Sequence, residues 1–147
     1  MQNDVPIFAR HNNLQQWTSV PNGHPAITIP VKSLIMHPGG NGVRAVLTFL
    51  VPPKLGGGSY QSASFRAQIT DIDPNGGDGV TRSIEHNGVL LPGATGTLFS
   101  PVGGPLATTP LTYTIPVTTN DTINVVVDAN ANENFDSTAI TGLIDLN

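Results

Sequence analysis

Apolar and polar side chains alternate with a period of two along most of this chain, and no stretch carries the 3.6-residue period of a helix. In Ser62–Asp71, the residues Ala63, Phe65, Ala67 and Ile69 interleave with Ser64, Arg66, Gln68 and Thr70. Successive side chains of an extended segment point to opposite faces, so this stretch predicts a strand with one dry and one wet side. From Arg44 to Val51, Ala45, Leu47, Phe49 and Val51 share one side, while Arg44 and Thr48 share the other. Pro52-Pro53 ends that strand, because proline donates nothing to a ladder. Leu111, Tyr113, Ile115 and Val117 alternate with Thr112 and Thr114, and Ile123–Val127 and Ile140–Leu146 follow. Ala26–Val31 and Leu34–Met36 predict strands nearer the start, and Thr95–Phe99 a short one in the middle.

Between these segments lie turns. Val80–Ile84 and Val89–Leu91 flank Asn87-Gly88, the dipeptide that supplies the positive φ angles of a type I′ hairpin. Gly56-Gly57-Gly58 predicts a loop. Together this makes about eight to ten short strands with a turn signal every dozen residues or so, the pattern of a sandwich or closed barrel. The expected fold is all-β: a single-domain, two-sheet, jelly-roll-like sandwich over residues 26–147. Residues 1–25 are polar and weakly patterned, and read as an extended N-terminal arm or mobile segment. The longest helix-tolerant piece, Asn12–Trp17, is short and uncapped.

Composition narrows the functional classes. The chain has 147 residues, 16 glycines, 13 prolines and no cysteine. Disulfides, thiolate nucleophiles and cysteine-held metals are therefore excluded. Only 11% of residues are charged and the net charge is -4, well under the charged share of about 25% in typical domains. The six basic residues, Arg10, Lys32, Arg44, Lys54, Arg66 and Arg82, are scattered. Without a basic stripe to neutralise phosphates, nucleic acid is not expected as a partner. No apolar run reaches the roughly 20 residues of a membrane-spanning helix. Met1–Pro6 lacks the basic and apolar regions of an export signal, as expected of a protein that works where it is made or of an excised domain.

Several landmarks occur in order: Trp17, His37-Pro38-Gly39-Gly40, the strand ending in Pro52, Asp78-Gly79-Val80, Ile84…Asn87-Gly88, Asn120-Asp121-Thr122, and Val125–Val127 leading to Asp136-Ser137-Thr138. This set, from Trp17 to about Ile144, resembles a β-sandwich module found near the C-terminus of large secreted or surface-displayed bacterial proteins. The resemblance implies a jelly-roll-like fold and a binding or adhesion role, with no catalysis. Asn120 stands where that family has glycine, Asn124-Val125 replaces a polar-aromatic pair, and the strands that normally precede the tryptophan are missing. Their loss implies an open sheet edge, to be hidden by the arm, a neighbouring subunit or a host surface.

Catalytic chemistry is not expected. His11, His24, His37 and His86 are isolated, without metal-ligand spacing. No serine sits in a nucleophile elbow. His37 reads as a turn residue bonding local backbone, and His86 as a hairpin flank. The acids instead gather in two loops. Asp71, Asp73 and Asn75 place oxygens at alternate positions before Gly76, with Asp78 close behind, as in the first half of a calcium loop. Asp128, Asn130, Asn132 and Asp136 repeat the spacing. Neither loop has a glutamate at its twelfth position, where Arg82 and Ala139 stand, and Asp and Asn also favour turns for their own sake. A structural calcium is thus a candidate at each loop. No other cofactor is expected.

Carbohydrate sites stack sugars on exposed aromatic rings, and aromatics make up only 5% of this chain. Phe49, Phe65 and Tyr113 fall on dry faces, which leaves Trp17 and Tyr60 as candidate platforms. Two roles follow. The first is a structural component of a virion, such as a capsid decoration (cement) or tail-surface protein. It would bind a major capsid or tail protein and self-associate symmetrically. The second is a carbohydrate-binding or cell-surface adhesion module, located outside the cell.

Overall fold

The computed structural model of the chain describes residues 7–10, 17–19, 27–132 and 134–147. All its regular elements among those residues are strands: β1 (Ile7–Arg10), β2 (Trp17–Ser19), β3 (Ile27–Ile29), β4 (Leu34–His37), β5 (Ala45–Leu50), β6 (Ser62–Asp71), β7 (Val80–His86), β8 (Val89–Leu90), β9 (Gly96–Leu98), β10 (Thr108–Pro116), β11 (Thr122–Ala129) and β12 (Thr138–Leu146). One sheet runs β1-β4-β12-β6-β10. The second runs β5-β11-β7-β8, with β9 also on β7. Among the described residues, β2 and β3 pair only with each other. Every pairing is antiparallel. The fold is the expected two-sheet β-sandwich.

The core is made by the inward positions of both sheets. Ala63, Phe65 and Ile69 of β6 and Leu111 and Ile115 of β10 meet Val80 and Ile84 of β7 and Ile123, Val125 and Val127 of β11. A smaller cluster, Ile35, Ile72 and Ala139, lies apart from this core, and Ile27 and Ile29 of β3 pack against it. Strand β1 extends the first sheet by pairing Ile7–Arg10 with β4, so part of the expected arm is strand. β2 (Trp17–Ser19) also falls within residues 1–25, and the others of that segment lie outside the described residues.

Local chemistry explains several boundaries. Asn87 (φ 52) and Gly88 (φ 76) form the two-residue turn of the β7–β8 hairpin, closing the pair His86–Val89. Asn120 has φ 72, the left-handed region that asparagine tolerates best after glycine. Asparagine at this position therefore meets the backbone demand that a glycine would. Strand β10 starts three residues earlier than the alternation around Leu111 suggests, and it contains Pro110 and Pro116. It pairs with β6 alone among the described residues, and an edge strand loses little by lacking those donors. In β12, a Cβ on Gly142 would meet the Arg66 carbonyl oxygen at 2.5 Å and the Ala67 Cα at 2.9 Å. Only glycine lets β12 and β6 approach this closely.

Two positions differ from the alternation reading. Arg82 lies between Val80 and Ile84 on the inward side of β7 and is only 9% exposed. Its guanidinium donates to the Ala94 carbonyl at 2.8 Å, so a charged head does structural work inside the sandwich. Leu47 lies on the expected dry side of β5 yet is 37% exposed. The reason is positional, because β5 is an edge strand and the opposing sheet does not fully cover it.

Candidate functional site

That incomplete cover defines the most distinctive surface of the molecule. Among the described residues, β5 pairs only with β11, and β4 covers only Thr138–Ile140 of β12. From Thr141 onward, β12 has β6 on one side and no strand on the other among the described residues. The two sheets therefore part along one side and leave a cleft of ≈ 440 Å³. Leu47 and Phe49 of β5, with Val125 of β11, form one wall. Phe65 and Ala67 of β6, with Ile140 and Ile144 of β12, form the other. Leu143, half exposed, stands at the rim. Polar groups are few: Lys32, Ser33 and Thr48. The Ser33 hydroxyl already donates to the Pro30 carbonyl at 2.6 Å.

The acidic loops lie elsewhere, at the end of the sandwich where β6 runs into β7 and β11 into β12. The fold joins the two loops. The Asp78 carboxylate accepts hydrogen bonds from the Ala131 backbone N–H and, at 2.9 Å, from the Asn132 amide. The Asn130 amide donates to the Asp78 carbonyl at 2.7 Å, and its oxygen accepts from the Thr81 hydroxyl. Within the first loop, buried Asp71 accepts the Asp73 and Ser100 N–H groups at 3.2 and 2.8 Å. Asp73 in turn accepts the backbone and side-chain N–H of Asn75 at 3.1 and 2.6 Å. Burial pushes the Asp71 carboxyl above its ordinary range, the hydrogen bonds from Asp73 and Ser100 oppose that shift, and the neighbouring Asp73 charge adds to it. Asp136 is fully buried beside Thr138, whose hydroxyl donates to the Asp136 carbonyl at 3.3 Å. Asp128 is half-buried on β11.

For a cation, the test is whether these oxygens converge and are free. Those of Asp71, Asp73 and Asp78 already receive N–H donors. Among the described residues, no group of three or more His, Asp or Glu is gathered as a metal site.

At the opposite end, the β7–β8 hairpin is tied to the turn before β11. The Asp121 carboxylate accepts the Thr118 N–H at 2.7 Å and the Asn87 amide at 2.9 Å, and stands 3.2 Å from His86 Nε2. Those donors hold the Asp121 carboxyl down at about 2. His86 thus flanks the hairpin, and His37 Nδ1 bonds the Pro38 carbonyl at 2.7 Å. His11 and His24 lie outside the described residues.

Tyr60 sits half-buried in the loop before β6, with the Lys54 ammonium 5.3 Å from its ring centroid. Trp17 lies on β2 opposite Ile29, and its side chain is outside what the structure describes. The two candidate sugar platforms belong to separate elements. The cleft itself was missed in sequence, and its one signal was the expected open edge.

No known family profile matches the chain, and no curated protein does. Among solved structures, it is similar to the CBM36-1 domain of a multidomain xylanase from the hindgut metagenome of Trinervitermes trinervoides. The likeness has 16% identity and a TM-score of 0.40, covering 97% of each chain. It is also similar to the enzymatically active domain of tailspike protein 4 of bacteriophage CBA120, at 16% identity and a TM-score of 0.31. That match covers 97% of this chain but 19% of the tailspike chain. Likenesses of this size carry no function across.

Proposed function

We propose that this chain is a non-catalytic binding module that engages its target through the open side of its sandwich. The observation that carries the reading is the cleft, an apolar space bordered by β5 and β12. An unfilled apolar recess beside sheet edges marks a place where something else completes the surface. The absence of catalysis is part of the proposal. It is supported by the local hydrogen bonds that occupy His37 and His86 and by the N–H donors on the acids.

Two targets suit such a module. The first is a carbohydrate or other component of a cell surface, with the protein acting outside the cell. It is supported by the ordered landmarks shared with secreted bacterial modules and by Tyr60, an aromatic ring in an exposed glycine-rich loop. The second is another subunit of an assembly such as a virion shell or tail, with symmetric self-association. It is supported by the exposed apolar residues Leu47, Leu50 and Leu143 along the open side.

A glycan array discriminates between them when repeated with Tyr60→Ala, Trp17→Ala and Leu47→Asp. Binding lost in Tyr60→Ala or Trp17→Ala supports the surface reading. Flat arrays, with capture by assembled shells that Leu47→Asp abolishes, support the second. A chain whose Leu47→Asp variant captures every target as the parent does is not a module of the proposed kind.

A further inference from the structure

We infer that the cleft between β5 and β12 takes the hydrocarbon part of an anionic amphiphile, with Lys32 pairing its head group. This deepens the binding-module reading and rests on it for the place of the site, while adding the chemistry of the ligand. The walls are carbon: Leu47, Phe49, Phe65, Ile140 and Ile144 face the space. Its volume, ≈ 440 Å³, falls within the range of about 300–1,000 Å³ typical of small-molecule sites. Water on the walls finds few partners, since Ser33 has given its hydroxyl to Pro30 and the backbone groups of β6 and β11 are engaged in ladders, which leaves the unladdered edges of β5 and β12 at the rim to bond it. A recess of this kind favours carbon over water.

Charge at the mouth is one-sided. Lys32 is the only charged residue lining the cleft, is exposed, and enters no ion pair among the described residues. Among the described residues no carboxylate lines the cleft, although the chain as a whole is acidic at -4. A lone ammonium beside a hydrocarbon recess complements a carboxylate, sulfate or phosphate on an alkyl chain and repels a cationic head. The turn that carries it is fixed, because Lys32 sits at φ 55 just before Ser33 is pinned to Pro30.

The test uses the full chain and dodecanoate below its critical micelle concentration, followed by calorimetry and thermal melting. The expected result is one saturable site, with a melting temperature that rises with ligand concentration. Dodecyltrimethylammonium, with the same tail and the opposite head, binds more weakly. Lys32→Glu, an exposed substitution that leaves folding alone, reverses that preference, lowering dodecanoate affinity about threefold as befits an exposed ion pair. Ala67→Leu, which fills the recess without changing charge, lowers the affinity for both tails. Alkyl phosphate and alkyl sulfate arms distinguish which anionic head is preferred.

Absence of a saturable site overturns the inference, as do equal affinities for the two heads or binding indifferent to both substitutions. The module reading falls separately. If Leu47→Asp abolishes target capture while dodecanoate fails to bind the parent, the module stands and the amphiphile assignment is wrong. If dodecanoate binds as described and Leu47→Asp changes no capture, the amphiphile assignment stands and the wider role fails.

Discussion

The two long sides of this sandwich are finished in different ways. On the side of β8, β9 and β10, the segment between β8 and β9 folds over the gap, with Ala94 fully buried in the core and Leu91 packed against it. Arg82 reaches the Ala94 carbonyl from β7, and the Tyr113 hydroxyl reaches the Gly93 carbonyl from β10 at 3.3 Å. Each sheet thus sends one polar side chain to hold the same strap. On the side of β5 and β12, no strap is present among the described residues, and Leu47 and Leu143 stay partly wet. Inward apolar patterning makes a core only where something also closes its flank. Where the flank is open, the same pattern makes a site.

Breaking the shared core gives the largest effect. Phe65→Ala removes a ring that both sides depend on, and is expected to cost about 3 kcal/mol or more in urea unfolding. A loss below about 1 kcal/mol would place the ring outside the core. Gly142→Val follows, at about 1–3 kcal/mol, because the new Cβ meets backbone rather than a yielding side chain. The flanks themselves come next. Arg82→Ala frees the strap and leaves its carbonyl unbonded, for about 2 kcal/mol, with faster amide exchange around Ala94. Leu47→Ala, on the open side, is expected to cost only about 0.5–1 kcal/mol, because much of that side chain never left water. Equal losses at Arg82 and Leu47 would erase the distinction between the two sides.

Smaller effects separate the two ends. Asp121 is held at about 2, below its ordinary 3.8. Its stabilisation is complete above the unfolded value and disappears as pH falls through about 2. A titration of melting temperature from pH 5 to 2 should show this decline, reduced in Asp121→Asn. Asp71 has the opposite sign, because its raised carboxyl favours the protonated form. Its contribution is greatest below the unfolded value and is lost as pH rises through the folded one; Asp71→Asn removes that pH dependence but also costs stability, because an amide has one oxygen to accept the Asp73 and Ser100 N–H groups that the carboxylate shares between two. The smallest expected change is none at all. The acidic loops are closed by hydrogen bonds among Asp78, Asn130, Ala131 and Asn132, so chelation should leave the melting temperature where it was, and added calcium should not raise it.

Period-two alternation was enough to place β6 and β10 and the inward faces of Phe65, Leu111 and Ile115, since side-chain direction in an extended chain is set locally. Asn87-Gly88 set the hairpin for the same reason, as φ preference belongs to the residue. Pairing partners were not local. Nothing in the string of residues says that the loop of Asp78 would be stitched to that of Asn130, or that Arg82 would turn inward to hold a carbonyl twelve positions away. Nor does Leu47 differ in sequence from a buried leucine. Whether an apolar face is covered depends on which strand lies beside it and where that strand stops, and β4 stops at Leu34, opposite Ile140. The residues determined which way each side chain points, and only the assembled sheets decided which of those side chains meet protein and which are left to meet a ligand.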